Sequence, residues 1–169
     1  MRKIAFTILT LIAFIYTCDA QSKKKADKDT NSWRYEIEPV QTGVAGTYLI
    51  KVWSYSKKPE VAIEQAKKNA VHGIIFRGFS GTDRVPGQSA LSNNPNLLDE
   101  KTDFFDDFFA DGGKYLKFVS LTNDGAVAAE DRMKIGKEYK VGVLISIRKE
   151  ELRRDLENAG IIKGLSAGF

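Results

Sequence analysis

The chain is poor in the side chains that most often carry metal and acid–base chemistry: its 169 residues include one cysteine, Cys18, and one histidine, His72. A single member of each leaves no zinc site of ordinary type, since zinc draws mainly on those ligands. The sequence has no phosphate-cradling Gly-x-x-x-x-Gly-Lys-Ser/Thr stretch and no dinucleotide fingerprint. Gly78-Phe79-Ser80-Gly81 comes near a serine-hydrolase elbow, but Thr82 stands two positions after the serine, where that motif needs glycine. No cofactor and no metal are expected, and the chain reads as a non-enzyme. A dominant sign of charge is missing too, with 26 basic and 22 acidic residues for a net +4. No basic stripe with interleaved aromatics supports a nucleic-acid partner. Long apolar runs are confined to Ile4 to Tyr16, too short to span the ~30 Å of a bilayer core comfortably.

What is present begins with that run. Arg2 and Lys3 precede it, and Cys18-Asp19-Ala20 followed by Gln21-Ser22-Lys23 ends it with a jump in polarity. A basic start, an apolar core and small residues before a polar stretch predict a secretory signal over residues 1–20. Ala20 and Cys18 supply the small residues that signal peptidase wants, so the cut falls after Ala20. The rival reading makes Cys18 the lipid-bearing first residue of an outer-membrane lipoprotein, but Tyr16-Thr17 stand where such a signal places small side chains. Removing residues 1–20 takes Arg2, Lys3 and Asp19 with it and leaves 149 of the 169 residues, with 24 basic and 21 acidic side chains and no cysteine. The expected product is a disulfide-free exported protein, periplasmic or secreted, of a bacterial envelope.

Residues 21–32 carry Lys23, Lys24, Lys25 and Lys28 with little apolar content, the composition of a disordered linker. A single α+β domain is expected over 33–163, with a loose tail over 164–169. Arg34 to Glu38 alternates polar and apolar as a strand does, Gly43 and Gly46 bracket a turn, and Thr47 to Tyr55 is rich in β-branched and aromatic residues. Pro59 to Phe76 reads as the main helix, with Pro59 in its first turn and Ala62, Ala66 and Ala70 on one face. Gly73 weakens that helix, so Ile74-Ile75-Phe76 could instead be a short strand. Asp103 to Asp111 predicts a short helix, Lys114 to Leu121 a strand, Thr122 to Gly125 a turn, Lys140 to Ile147 a strand and Lys149 to Asn158 a helix. Strands grouped as hairpins predict an antiparallel sheet of about four strands with helices packed on one face.

Three groups of residues invite a functional reading. The first is Arg77 to Asn96, a stretch without periodicity that is long for a structureless loop and therefore a candidate site. Within it Arg77, Ser80, Asp83 and Arg84 could hold an anionic group, or could form a solvated surface with a local Asp–Arg pair. The second is Phe104, Phe105, Phe108 and Phe109 at helical spacing, which are core under a solvated acidic face or, where exposed, a partner patch. The acids among and before them, Asp99, Glu100, Asp103, Asp106, Asp107 and Asp111, lack the turn and central glycine of a calcium loop. The third is His72, read as a helix residue with one nitrogen on water or a neighbour.

The string Ala62-Ile63-Glu64-Gln65-Ala66-Lys67-Lys68-Asn69-Ala70-Val71, after a hairpin with a Val-Ala-Gly turn, resembles small bacterial envelope modules of the LPP20 and flagellar-assembly-protein-T N-terminal kind. The export signal ending in Ala-Gln is similar to those of secreted proteins of Bacteroidota. The first resemblance covers Trp33 to Phe76 and implies a sheet against an Ala-spaced helix in a binding or assembly module; neither transfers a functional residue. The expectation is a non-enzymatic exported protein that binds an envelope protein or surface partner, with a small-ligand binder or weak enzyme using the 77–96 loop as one alternative and a secreted effector or adhesin as another.

Overall fold

The computed structural model describes residues 33–43 and 46–164. The signal, Cys18 and the Lys-rich linker lie outside the described residues, as does the tail beyond Gly164.

Two antiparallel strands open the fold, β1 (Tyr35–Thr42) and β2 (Thr47–Ser56), paired from Tyr35↔Ser54 to Thr42↔Tyr48 with an irregularity at Pro39/Gln41. The main helix α1 (Pro59–Phe76) follows and runs unbroken through Ile74, Ile75 and Phe76, so the strand alternative there is corrected. Burial explains it: Ile74 and Ile75 are inaccessible to solvent, and tertiary packing outweighs the cost of about 1 kcal/mol of a helical glycine. Gly73 has its own reason, because a Cβ at that position would sit 2.2 Å from Ile37 Cδ1.

After a folded-back lobe (77–96) come two short helices, α2 (Leu97–Glu100) and α3 (Thr102–Phe108), then β3 (Val119–Leu121), β4 (Arg132–Ile135), β5 (Glu138–Arg148) and α4 (Lys149–Asn158). The sheet is antiparallel, with order β1-β2-β5-β3 and β4 also paired to β5. Strand β5 meets β2 along Thr47↔Arg148 to Ser56↔Tyr139, so its other edge is shared by β3 at one end and β4 at the other. The fold class is α+β, a five-stranded antiparallel sheet with helices against it. Where Lys114 to Leu121 predicted one strand, only Val119–Leu121 pairs, and Lys114–Phe118 is a 3-10 helix that buries Tyr115 and Phe118. Two apolar residues three apart suit a tight helical turn as well as a strand.

One face of the sheet carries Tyr35, Ile50, Val52, Val141, Val143, Ile145 and Ile147, and α1 lays its Ala62, Ala66 and Ala70 stripe against it within one core cluster. Alanines let backbones approach closely, and large aliphatics on the strands fill the gap. The opposite face is closed by Trp53 and a set of ion pairs around it. Trp53 lies flat over Gly142, where a Cβ would come within 2.9 to 3.0 Å of its ring. Lys140 sits 4.9 Å over the same ring and pairs with Glu36 at 2.8 Å, while Lys51 pairs with Asp131 at 2.7 Å and Arg34 with Glu138. Among the described residues no helix is long and apolar enough to cross a membrane.

Candidate functional site

The site grows from a polar stripe on α1 that lies beside its alanines: Gln65, Lys68, Asn69 and His72 are all buried. Asn69 Nδ2 donates to Ser54 Oγ at 2.9 Å. His72 Nδ1 lies 2.6 Å from the Tyr35 hydroxyl. Burial, with Arg77 adding to it, lowers the histidine to about 3, and burial raises the Tyr35 phenol well above its usual value. Tyr35 therefore keeps its proton and donates it to Nδ1, which leaves the ring proton on Nε2.

Trp33 covers this pair. Its ring stacks on His72 with centroids 3.7 Å apart, and Phe109 meets it edge-on at 5.1 Å. Its backbone takes a φ of 43°, an outlier for a bulky side chain. Arg77 holds the residue there, donating from Nη2 to the Trp33 carbonyl at 3.0 Å with its guanidinium 4.5 Å above the Tyr35 ring.

Between Trp33 and the 97–111 segment opens a cleft of about 480 Å³. Trp33, Phe105, Phe109 and Leu98 form its apolar walls, Lys68 contributes from α1, and Asp99, Thr102, Asp106 and Asp111 stand around it. Lys68 is only 4% exposed and lies 5.7 Å over the Tyr115 ring. Desolvation lowers its ammonium to about 8, and Asp111 pulls in the other direction. All three aspartates are exposed. Concave, aromatic-walled space with a few converging polar groups is the usual make-up of a ligand site. A larger hollow of about 810 Å³ between 90–94 and 161–164 contains no buried ionisable group, and one wall runs to Gly164, the last described residue.

The predicted residues separate. Phe105, Phe108 and Phe109 are buried and Phe104 is half-buried, which makes the quartet core, with Phe105 and Phe109 also lining the cleft. The six acids of this region are exposed, as a solvated helix face requires. The 77–96 stretch is a small lobe, not an open loop: Phe79 and Gln88 exchange backbone bonds of 2.8 and 2.9 Å, Val85 is buried, and Leu91 and Ser92 donate to the carbonyls of Ile74 and Ile75. Arg77 and Ser80 share a shallow depression there, whereas Asp83 and Arg84 are exposed and do not line it. Lys68 and Trp33 escape sequence reasoning. The legible signal for Lys68 is its spacing, three residues after Gln65 and four before His72, on the face next to the alanines.

Among the described residues no cluster of three or more His, Cys, Asp or Glu could hold a metal. Fold and site together define an α+β domain with one helix on an antiparallel sheet and an aromatic, acid-rimmed cleft beside that helix. No family model, no curated protein and no solved structure matches the chain.

Proposed function

We propose that the chain is an exported binding module without catalytic activity, and that it engages its envelope partner through the cleft at Trp33. The cleft carries this reading: three aromatic side chains and a buried lysine converge on one concavity. Two further points support it. The lone histidine is occupied by Tyr35 beneath the Trp33 ring, with its basicity suppressed, so it is poorly suited to taking a proton from a guest near neutral pH. The basic start, apolar run and Ala20 junction of the sequence supply the export half of the reading, and the resemblance of the helix to envelope assembly modules agrees with it.

The test uses crosslinking and pull-down from envelope fractions with the chain beginning at Gln21, beside a Trp33→Leu variant of matched thermal stability. A partner captured by the parent and lost with Trp33→Leu is the expected result. Equal capture by both would sink the assignment of the cleft. Mass spectrometry of the exported chain should find Gln21 at its N-terminus; a lipidated Cys18 would replace the soluble form with a tethered one.

A further inference from the structure

We propose that the cleft at Trp33 receives an organic cation, an ammonium or guanidinium group on an apolar stem, held between the aromatic walls and the carboxylates of Asp99 and Asp106. This rests on the reading of the cleft as the binding site and adds the chemistry of the guest.

Charge decides the sign of the guest. Three carboxylates and one ammonium line the cleft. Asp111 acts on Lys68 and favours its charged form, so those two charges answer each other. Asp99 and Asp106 have no cationic partner among the described residues. An anion entering the cleft would meet both of them. A cation meets both and also the aromatic surface of Trp33, Phe105 and Phe109, whose ring faces attract positive charge within about 6 Å. One face of Trp33 is spent on His72, and Phe105 and Phe109 stack with centroids 6.0 Å apart. The walls are therefore a preorganised apolar surface, and an aliphatic stem gains by covering it.

Lys68 gives the site a pH signature. Among the described residues, the charged and titratable groups facing it include Asp111 beyond α3, Tyr115 of the 3-10 helix, Glu64 one turn back on α1, and Asp99 and Asp106 across the cleft, and Lys68 has a further contact besides these. With its ammonium lowered to about 8, Lys68 repels a cationic guest at pH 7 and ceases to do so by pH 9. Cation affinity rises across that window, whereas affinity for an anion would fall. The same linkage means that a bound cation releases a proton at pH 8.

Calorimetry with three probes of similar shape reads this out on the chain beginning at Gln21: butylguanidinium, pentanoate and pentanol. The expected result is that butylguanidinium binds more tightly than either of the others and more tightly at pH 9 than at pH 7. Asp99→Asn and Asp106→Asn, both surface changes, each weaken it roughly three- to fivefold, and Lys68→Met tightens it and abolishes the pH dependence. Pentanoate binding as tightly as the cation, or an affinity for butylguanidinium unchanged in the Asp99→Asn/Asp106→Asn double variant, overturns the proposal. Failure of all three probes, with partner capture still lost in Trp33→Leu, overturns the cation alone and leaves the cleft as the partner site. The source is separable. If replacing Lys23, Lys24, Lys25 and Lys28 by Gln tightens the probe, the chain's own Lys-rich segment competes for the cleft, which supports the cationic guest; with butylguanidinium binding as expected, an unchanged affinity assigns the cation to an outside source.

Discussion

His72 and Tyr35 face each other across the helix–sheet interface, and their bond holds only while the imidazole is neutral. Because the folded-state value lies near 3 and an unfolded histidine titrates near 6.5, the unfolded chain takes up the proton first as pH falls. Above pH 6.5 the group leaves stability unaffected; from there down to about pH 3 it progressively destabilises the fold. The parent should lose about 2 kcal/mol between pH 7.5 and pH 5, read by urea denaturation, and His72→Gln should flatten that slope. An unchanged slope would mean that the histidine is solvated. A second residue-scale test concerns Gly142. Its Cα lies under the Trp53 ring, and Gly142→Ala should destabilise by about 1–3 kcal/mol through overpacking, with a change in indole fluorescence. Nothing in the local sequence distinguishes this glycine from an ordinary weak point in a strand. Only the cross-strand register, Trp53 opposite Gly142, explains it.

The elements were legible in proportion to how local their causes are. Helix α1 has Pro59 at its start and an alanine stripe along it, and its predicted bounds match those found, as do those of α4. The 3-10 helix over Lys114–Phe118 was read as strand because two apolar positions three apart satisfy either period. Strand β4 was missed because all four of its residues are exposed, so it has no burial alternation and exists only through pairing with β5. Short helix α3 depends on its packing, since seven residues cannot hold a helix in water unaided. Phe108, 1% exposed and stacked with Phe104 and Phe118, anchors it. Phe108→Ala should therefore cost about 3–5 kcal/mol, measured by chemical denaturation. The lobe over 77–96 offers a contrast within one element. Arg77→Ala should cost about 1–2 kcal/mol by releasing the Trp33 carbonyl and the Tyr35 ring, whereas exposed Arg84→Ala should stay within about 0.5 kcal/mol. Equal effects would return both arginines to the surface role.

For the whole molecule, residues from β1 to α4 share one core cluster, and the cleft draws on three separated parts of the chain, at 33, at 68 and over 98–111. That dispersion is why the candidate site was far less legible than the fold. Trp33 stands at the start of the predicted domain and Lys68 inside the predicted main helix, and no spacing rule relates either to Asp106. A common core predicts common unfolding. With Trp33→Phe and Trp53→Phe each leaving a single indole, the two chains should melt in single transitions that coincide with their own loss of helix signal. An earlier transition seen only through Trp33 would mark the cleft wall as a separately unfolding unit.

Trp33 also stands at a mechanical junction. Trp33 walls the cleft two residues before β1, and the Arg77 bond to its carbonyl, its stack on His72 and the edge of Phe109 secure it there. Tension that reached Trp33 along the backbone would act on those contacts two residues before the paired strand begins. Displacing Trp33 and opening the cleft wall are in that sense the same movement.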